Sequence, residues 1–450
     1  MEHVKAQHLI AMTKPTALPS YTTETNCRKP YTPIYSLKQI IFLLFTTFCL
    51  FVITLWLRVG ENFLLLEETF PLERPFLSAD VDGSARPLPT PGKSSIGSPS
   101  QLSNELLNYQ PSPNKLITYL PHSGATYQFL EIVRALTLAA ALNRTLVIPP
   151  LRPSANEGNG QKAEPSSWDR FFDLKAFTEK TGIPLVEWDD VYEDLVPEKE
   201  MSCVGLTGRH TKTSSLHADK FYKERYNMTL HFEERGLADN PSALAKALNE
   251  IDDDLICLSD AFYLRWRLKE QWEFIGKYFR YSKELSIFAD SITYDMFGVT
   301  PYIGIHLRRG DFKKICKRIV NPIARENCWP TFETLQNTVS HIRQLAGMNL
   351  PVFVATNSQN AAELRAIDEL GWKTVDHKLY NVEEKFGVFG RSMVEGSILT
   401  KASWGIGTRG STFSKVAEMR MKDWYGGISV KLVVNTENPG DLLPEDSTST

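Results

Sequence analysis

Two short polar runs in this 450-residue chain combine residue types that bind phosphate. The first is HLRRGDF, residues 306–312, and it directly follows the apolar run YIGI. Arg308 and Arg309 each carry a planar, permanently charged fork that matches two phosphate oxygens. His306 and Asp311 are polar neighbours in the same run. An ion pair of either arginine with Asp311 at a domain edge would explain the same residues, so this run alone does not separate a phosphate site from a structural pair.

The second run is GTRGSTFS, residues 407–414. Its glycines allow a tight backbone turn, and Ser411 or Thr412 can cap a helix that begins there. The amides and the dipole of a helix start attract anions. A glycine-rich turn with an ordinary cap is the alternative for this run taken by itself. Because both runs follow apolar segments, we interpret the pair as one phosphate-binding site.

A third polar feature, Asp252-Asp253-Asp254, has the spacing of a metal-binding motif. Carboxylates at positions i and i+2 can hold Mg²⁺ or Mn²⁺ and bridge it to a diphosphate. The triplet immediately precedes LICLSD, however, an apolar run typical of a strand. Acidic residues are common in turns that lead into strands, so we interpret the triplet as a solvated turn. A metal-dependent transferase is the alternative, and we expect no metal and no other cofactor.

The elements around these runs alternate between strand and helix. KLITYL (115–120) is a short apolar run, and a polar turn with Gly124 follows it. A helical pattern comes next, and TLVIPPL (145–151) is a second apolar run that contains two prolines. This order predicts a strand–helix–strand unit, which a right-handed crossover makes parallel. The apolar positions of the helix are Phe129, Ile132, Val133, Leu136 and Ala140.

The same alternation returns in the second half of the chain. The predicted strands are 302–309, 352–357 and 404–408. The predicted helices are 332–346, 361–370, 389–402 and a last helix that begins at Ser411. Two such stretches, separated by a helical middle, predict an α/β protein with two Rossmann-like domains that face a cleft. We expect a boundary near residue 298, with domains 114–298 and 299–430 and a flexible tail 431–450. Ligands bind at the carboxyl ends of parallel strands, where both polar runs lie.

The segment before these domains predicts a membrane anchor. An uncharged apolar run of 18 residues begins at Ile40 and ends at Leu57, long enough to cross a bilayer within an anchor of residues 39–58. Lysine and arginine are more frequent before this run than just after it. We therefore expect residues 1–38 in the cytosol and the rest of the chain in a lumen. The Pro-, Ser- and Gly-rich composition within 59–113 predicts a flexible stem.

Lumenal chemistry in the sequence agrees with this topology. Asn143 and Asn227 each begin an N-glycosylation sequon, and Asn227 is the expected acceptor because Asn143 lies between a predicted helix and a strand. An even number of cysteines follows the anchor, which suits an oxidising compartment. They are Cys203, Cys257, Cys316 and Cys328. The last two close a short loop, and we expect them to pair. The net charge of −3 gives no indication of a nucleic-acid partner.

The runs HLRRGDF and GTRGSTFS resemble motifs of the GDP-fucose protein O-fucosyltransferase superfamily, including its plant and fungal branches. PHSGATYQFLEIVRALTLAAALNRTLVIPPL (121–151) is similar to the family's amino-terminal motif, and the resemblance covers about residues 115–425. It implies a GT-B fold and an inverting, metal-independent transfer of fucose from GDP-fucose to a protein or glycan hydroxyl. With the anchor, it also implies a type II protein of the Golgi or endoplasmic reticulum membrane.

The resemblance also implies roles for residues at matching positions. Arg308 would hold the β-phosphate of the donor and stabilise the leaving GDP. His306 and Asp311 would shape the nucleotide site. The start of the last helix would bind phosphate and base through Ser411, Thr412 and Phe413. Without a metal, a cationic fork and helix amides must neutralise the departing diphosphate.

One departure from the family concerns the amino-terminal loop, which usually presents an acidic residue, or an Asn beside a Gln. This chain offers His122, Ser123, Tyr127 and Gln128, and we expect no carboxylate there. His122 is therefore the candidate general base. The alternatives are a mechanism that depends on departure of the leaving group, or loss of catalysis.

Two other functions compete with fucosyl transfer. One is a transferase of the same fold that uses another nucleotide sugar, and the phosphate site does not separate the two donors. The other is an inactive lumenal lectin or chaperone. A retained Arg308 counts against the inactive protein, which has no need of a diphosphate ligand.

Overall fold

The computed structural model describes residues 109–154, 164–205, 211–234, 241–261, 264 and 268–433, and all of them lie in one compact unit. The run from Ile40 to Leu57, the predicted cytosolic tail and most of the predicted stem fall outside these residues. Within the described ranges, no helix has both the length and the apolar character needed to cross a bilayer. The membrane anchor and its orientation stay predictions.

The first sheet is parallel and has six strands. They are β1 (Ser112–Tyr119), β2 (Arg144–Ile148), β3 (Leu185–Glu187), β4 (Glu200–Gly205), β5 (Thr229–Glu234) and β6 (Leu255–Leu258). Their order in the sheet is β3-β2-β1-β6-β4-β5. Helix α1 (Ala125–Ala141) connects β1 to β2, which confirms the predicted strand–helix–strand unit. The helices that follow are α2 (Leu174–Thr181), α3 (Trp188–Leu195), α4 (Thr211–Tyr226), α5 (Pro241–Asn249), α6 (Leu268–Phe274) and α7 (Lys283–Phe297).

The second sheet is also parallel and has four strands. They are β7 (Ile303–Leu307), β8 (Val352–Thr356), β9 (Trp404–Ile406) and β10 (Ile428–Ser429), in the order β10-β9-β7-β8. The strands and helices predicted for this half are all present. Its helices are α8 (Phe312–Cys316), α9 (Pro322–Cys328), α10 (Phe332–Ala346), α11 (Ala361–Glu369), α12 (Val382–Phe386), α13 (Gly390–Thr400) and α14 (Thr412–Tyr425).

The middle of the chain is not simply helical, so that expectation is wrong. It contributes β3, β4, β5 and β6 to the first sheet, and the sequence predicts only β6 among them. Strand β3 has three half-buried residues, and β4 begins with alternately exposed and buried residues from Glu200 to Cys203. Such short or half-exposed strands lack the continuous apolar run that identifies a buried strand in a sequence.

One apolar core joins elements of both sheets. Helices α1, α13 and α14 meet in it, with Phe129, Val394 and Val416 among the buried side chains. Two further clusters are separate, one around Trp188 and the other around Ile305. Helix α7 packs against α13 and α14 packs against α1, so elements from each half of the chain support the other. The predicted boundary near residue 298 falls between α7 and β7, and it stays a prediction.

Two disulfides link neighbouring elements. Cys316–Cys328 joins α8 to α9 and confirms the predicted pair, and Cys203–Cys257 joins β4 to β6. Cys203 and Cys257 face each other in the strand register. The two sequon asparagines, Asn143 (φ 50°) and Asn227 (φ 54°), are exposed and lie in the left-handed region that asparagine tolerates. Glycosylation of Asn227 stays a prediction.

Candidate active site

The two polar runs meet where β7 and β9 end. The backbone amide of Arg308 donates to Oγ1 of Thr408 (2.9 Å), and this hydroxyl donates to the carbonyl of His306 (2.8 Å). Thr408 thus ties the end of one strand to the loop that follows the other. Gly310 (φ 64°) and Gly410 (φ 80°) turn the two loops through the left-handed region, which favours glycine.

The side chain of Arg308 points towards solvent where the two loops meet. Its guanidinium pairs with Asp311 (Nη2 to Oδ1, 2.8 Å) and lies over the ring of Phe312, 5.3 Å from the centroid. The side chain of Arg308 is 18% exposed and that of Asp311 is 56% exposed. An ion pair so open to water contributes little stability. A diphosphate can therefore take the place of Asp311 as the partner of the arginine.

Arg309 turns the other way, into the protein. Its Nε donates to Glu363 (2.9 Å) and its Nη2 donates to the carbonyl of Pro330 (2.7 Å). Its guanidinium also lies over the ring of Trp329, 4.3 Å from the centroid. Burial lowers the pKa of Arg309, and Glu363 opposes this change. Since neighbouring side chains in extended backbone point to opposite sides, the structural ion pair belongs to Arg309 and not to Arg308.

His306 is a neutral hydrogen-bonding group. Its Nδ1 lies 2.6 Å from Oγ of Ser414, and its ring packs against Phe413 with 4.6 Å between centroids. Burial lowers the pKa of His306 to about 3, and the charge of Arg308 adds to this change. The imidazole is therefore uncharged at neutral pH. It shapes the site and does not neutralise phosphate charge.

The first turn of α14 completes the donor side of the site. Ser411 caps the helix by accepting from the amide of Ser414 (3.5 Å), and the amide of Thr408 donates to Oγ of Ser414 (2.9 Å). Thr412 is the first helical residue, and it is buried, as Ser411 is. The amino-terminal end of α14, which is the positive end of its dipole, thus lies beside the loops that contain Thr408 and Arg308. The residues brought together here are those predicted to bind the donor: His306, Arg308, Asp311, Ser411, Thr412 and Phe413.

The loop after β1 belongs to a buried cluster that we did not predict. Nδ1 of His122 contacts a carboxylate oxygen of Glu131, and its Nε2 lies 3.7 Å from Oδ2 of Asp260. The second oxygen of Glu131 accepts from the backbone amide of His122 (3.3 Å). Glu131 and Asp260 are both buried. The expectation that no carboxylate stands at this loop is therefore wrong.

Both missed carboxylates carry a signal in the sequence. Glu131 is the only acidic residue in the segment 125–141, where the helical pattern is otherwise apolar. Asp260 comes just after β6, as His122 comes just after β1, and these two strands are neighbours in the sheet. Polar residues that follow adjacent parallel strands meet at one sheet edge. The spacing of apolar residues does not predict that the loop after β1 folds back over the start of α1, where His122 meets Glu131.

The cluster carries two acidic and two basic groups. Burial by itself would lower the pKa of His122, but Glu131 and the more distant Asp260 outweigh burial and raise the pKa to about 9, while Arg152 opposes the rise. Burial raises the pKa of Glu131, and His122 opposes this. The imidazole therefore holds a proton at neutral pH. It faces the two carboxylates, and the positive charge of Arg152 lies near it.

Metal binding has one candidate group in the described part of the chain. The ligand atoms of His122, Glu131 and Asp260 lie within 4.8 Å of one another. A divalent cation would have to displace the proton of His122 and lie close to the positive charge of Arg152. Because the protonated imidazole already pairs with Glu131 and faces Asp260, we assign the group as an ion-pair cluster and not as a metal centre.

The acidic triplet lies at the opposite edge of the first sheet. Lys115 pairs with Asp252 and with Asp254, at 3.0 Å each, just before β6 begins. All three aspartates are exposed. This position fits the interpretation as a solvated turn, far along the strand from His122 and Asp260. That the reaction needs no metal stays a prediction.

Helix α1 connects the two parts of the site. Burial raises the pKa of Tyr127, in the first turn of α1, and the positive charges of Arg134 and Arg308 oppose the rise. Tyr127 is therefore close enough to Arg308 to sense its charge. A cleft lies between the start of α1 and helices α13 and α14, and Phe413 and Arg420 line it. The loop with His122 and the loop with Arg308 thus belong to one region of the protein.

Two crystal structures of POFUT1 show the same fold. The crystal structure of POFUT1 in complex with GDP-fucose has 16% identity and a TM-score of 0.57, and the match covers 72% of this chain and 100% of that one. POFUT1 in complex with GDP has 17% identity and a TM-score of 0.56 over the same shares of the two chains. The fucosyltransferase NodZ from Bradyrhizobium has 14% identity and a TM-score of 0.38, with 68% of this chain and 93% of that chain covered.

No protein of curated function matches the chain by sequence. A family profile described as GDP-fucose protein O-fucosyltransferase, however, matches residues 117–422, which is more than half of the chain. The match begins in β1, ends in α14 and contains both the loop with His122 and the loops around Arg308. The chain therefore belongs to the GDP-fucose protein O-fucosyltransferase family, a family of glycosyltransferases.

Proposed function

We propose that this protein transfers fucose from GDP-fucose to a hydroxyl of a protein or glycan, with inversion at the transferred carbon. The observation that carries the proposal is the position of Arg308. It follows a buried strand, where the two loops meet, and pairs with an exposed aspartate, whereas Arg309 makes the structural ion pair. A cation kept accessible beside a helix start suits the diphosphate of a nucleotide sugar.

On the donor side, charge develops on the diphosphate as the bond to fucose breaks. Arg308 and the first amides of α14 are placed to stabilise that charge, which is the main task of a transferase of this kind. His306 is neutral and fixes the loop through Ser414, so that Phe413 beside it can contact the base. Asp311 exchanges its contact with Arg308 for the bound donor. Ser411 and Thr412 hold the phosphate end of the helix.

On the acceptor side, we assign His122, in its deprotonated form, as the residue that takes the proton of the attacking hydroxyl. The acceptor oxygen attacks C1 of the fucosyl group from the face opposite to GDP. The bond from C1 to the phosphate oxygen breaks, and its electron pair leaves with GDP. Attack from the opposite face inverts the configuration at C1.

The wider features of the proposal follow from the sequence and from the family. The two sheets correspond to the two Rossmann-like domains of a GT-B transferase, with 114–298 on the acceptor side and 299–430 on the donor side. The anchor that starts at Ile40 places the enzyme in the Golgi or endoplasmic reticulum membrane with type II topology. The reaction proceeds without a metal.

The test is turnover of donor sugars by the purified full-length protein, measured as release of the nucleotide. We expect GDP-fucose to be turned over, with water as the acceptor when no other is supplied. GDP-mannose and UDP-N-acetylglucosamine serve as parallel donors. Faster turnover of either would mean another donor, and binding of GDP-fucose without any turnover would mean an inactive binding protein.

A further inference from the structure

Glu131 is committed to a single residue. It is the only acidic side chain of α1, a helix buried along most of its length, and it is 0% exposed. A buried carboxylate is costly unless it is paired and hydrogen-bonded. Both of its oxygens contact His122, one at Nδ1 of the ring and the other at the backbone amide. The carboxylate therefore fixes the candidate base at two points.

This double contact orients the imidazole. With Nδ1 against Glu131, the opposite nitrogen Nε2 faces Asp260 across 3.7 Å, which is longer than a hydrogen bond. The side chain of His122 is 14% exposed, against 0% for Glu131 and 7% for Asp260. Of the three side chains, His122 is thus the most exposed, and an acceptor reaches it most easily.

The charged groups around His122 come from three elements. Glu131 belongs to α1, Asp260 follows β6, and Arg152 follows β2. Nε of Arg152 donates to the carbonyl of Pro121, the residue before His122 (3.2 Å). Gln128 of α1 holds the backbone of Arg152 through two hydrogen bonds (2.8 and 2.6 Å). Helix α1 thus supports both the acidic and the basic neighbour of the imidazole.

We propose that Glu131 is the positioning residue that makes His122 a base for the acceptor hydroxyl. The proposal rests on the function proposed above. In the step, the acceptor O–H bond breaks as the oxygen attacks C1, GDP leaves with the electron pair of the broken bond, and the proton moves to Nε2. The proton on Nδ1 stays hydrogen-bonded to Glu131, whose negative charge stabilises the imidazolium. The proton on Nε2 then passes to water.

This role makes turnover depend on pH. His122 accepts a proton only when Nε2 is deprotonated, and its pKa of about 9 puts that form on the alkaline side. Turnover should therefore rise with pH, with a midpoint near pH 9, and level off above it. Among the neighbours of His122, Glu131 contributes most to raising the pKa. Removing its charge should move both the titration of His122 and the rise in turnover to lower pH.

The experiment combines a pH profile of GDP-fucose turnover with a nuclear magnetic resonance titration of His122 in the ¹³C-histidine-labelled full-length protein. The variants are Glu131→Gln and His122→Gln. Glu187→Gln is the matched control. Glu187 is a half-buried carboxylate that accepts from Trp168 and Ser167, and neither of these residues belongs to the cluster around His122. We expect Glu131→Gln to lower the midpoint of both curves by at least about one pH unit, and Glu187→Gln to change neither.

The outcomes separate a positioning role from a structural one. His122→Gln should abolish the pH-dependent rise and leave GDP binding unchanged. A structural Glu131 would lower the melting temperature without moving the pH profile, and that result would overturn the proposal. The wild-type protein alone can also overturn it, if its turnover does not rise between pH 7 and about 9. Absence of turnover in the wild type would instead overturn the proposed function, and the inference with it.

Discussion

Arg308 and Arg309 have opposite environments although they are adjacent in the chain. Arg308 is 18% exposed and pairs with an open aspartate, whereas Arg309 is 2% exposed and makes its bonds inside the protein. The sequence leaves open which arginine forms an ion pair and which binds a ligand. Only the direction of each side chain settles this, and the direction depends on the residue at which the strand ends.

Changing Arg308 should impair catalysis without unfolding the protein. We expect Arg308→Ala to lower GDP-fucose turnover at least about a hundredfold, because the charge on the leaving GDP loses its cation. Arg308→Lys should be nearly as harmful, since it keeps the charge but loses the planar fork. Steady-state turnover and the melting temperature of each variant provide the measurement.

Arg309→Ala is the control for this prediction. It removes the cation from Glu363, to which Ser358 still donates, and it removes the bond to Pro330, so we expect a loss of roughly 1–3 kcal/mol of stability. The melting temperature should therefore fall for Arg309→Ala and stay nearly constant for Arg308→Ala. A large loss of stability in both variants, with GDP affinity intact, would make Arg308 a structural residue.

At the scale of elements, the donor side depends on two loops and one helix start. The loops after β7 and β9 are tied together by Thr408, and Ser414 ties the first turn of α14 to His306. Each loop turns at a glycine with positive φ, Gly310 and Gly410. The site is therefore held by backbone geometry as much as by its charged side chain.

Gly410→Ala tests this dependence on the backbone. A side chain at φ 80° costs roughly 1–2 kcal/mol, so we expect a modest loss of stability and about a tenfold loss of GDP affinity as the loop shifts. Gly426→Ala is the matched control, because Gly426 (φ 70°) ends the same helix at its far end. It should cost a similar amount of stability and leave GDP affinity unchanged. Equal losses of affinity in both variants would contradict a local role of the loop after β9.

The sequence predicts those elements that carry their own start and stop signals. Helix α10 is predicted at its observed bounds, because Thr331 caps its start and Gly347 its end. Helix α14 likewise begins after the cap at Ser411. Strand β3 is missed because it has only three, half-buried residues, and β4 and β5 are missed because buried and exposed residues alternate where each begins. Glu131 is missed for a different reason. It meets His122 only because the loop after β1 folds back over α1, and the spacing of apolar residues does not predict such a contact.

At the scale of the whole molecule, the two sheets share one apolar core, and α14 crosses from the second sheet to pack on α1. Arg420 of α14 is buried there, lies 4.5 Å from the ring centroid of Phe129 and donates to the hydroxyl of Tyr281 (2.7 Å). This packing brings the loop after β1 into the same region as the loops after β7 and β9. Donor and acceptor groups thus depend on the joint packing of both halves.

Topology is the prediction that concerns the whole chain in its membrane. Residues 1–38 should be cytosolic and Asn227 glycosylated, because the charge bias around the apolar run and the sequon agree. Protease treatment of intact microsomes should leave all but the amino-terminal tail protected. Asn227→Gln should remove a glycan-dependent shift in gel mobility. Digestion of the catalytic region from outside would contradict a lumenal enzyme.

Arg308 and the start of α14 are proposed to form a metal-free site for the diphosphate of a guanine nucleotide. Calorimetric titration of the purified protein with GDP, UDP and CDP, each in the presence of EDTA, tests it most directly. We predict that GDP binds, that UDP and CDP bind at least about tenfold more weakly, and that Arg308→Ala weakens GDP binding by about tenfold or more. Binding of GDP that needs Mn²⁺ and is lost in an Asp252→Asn variant, or equal affinity for all three nucleotides, would contradict the claim.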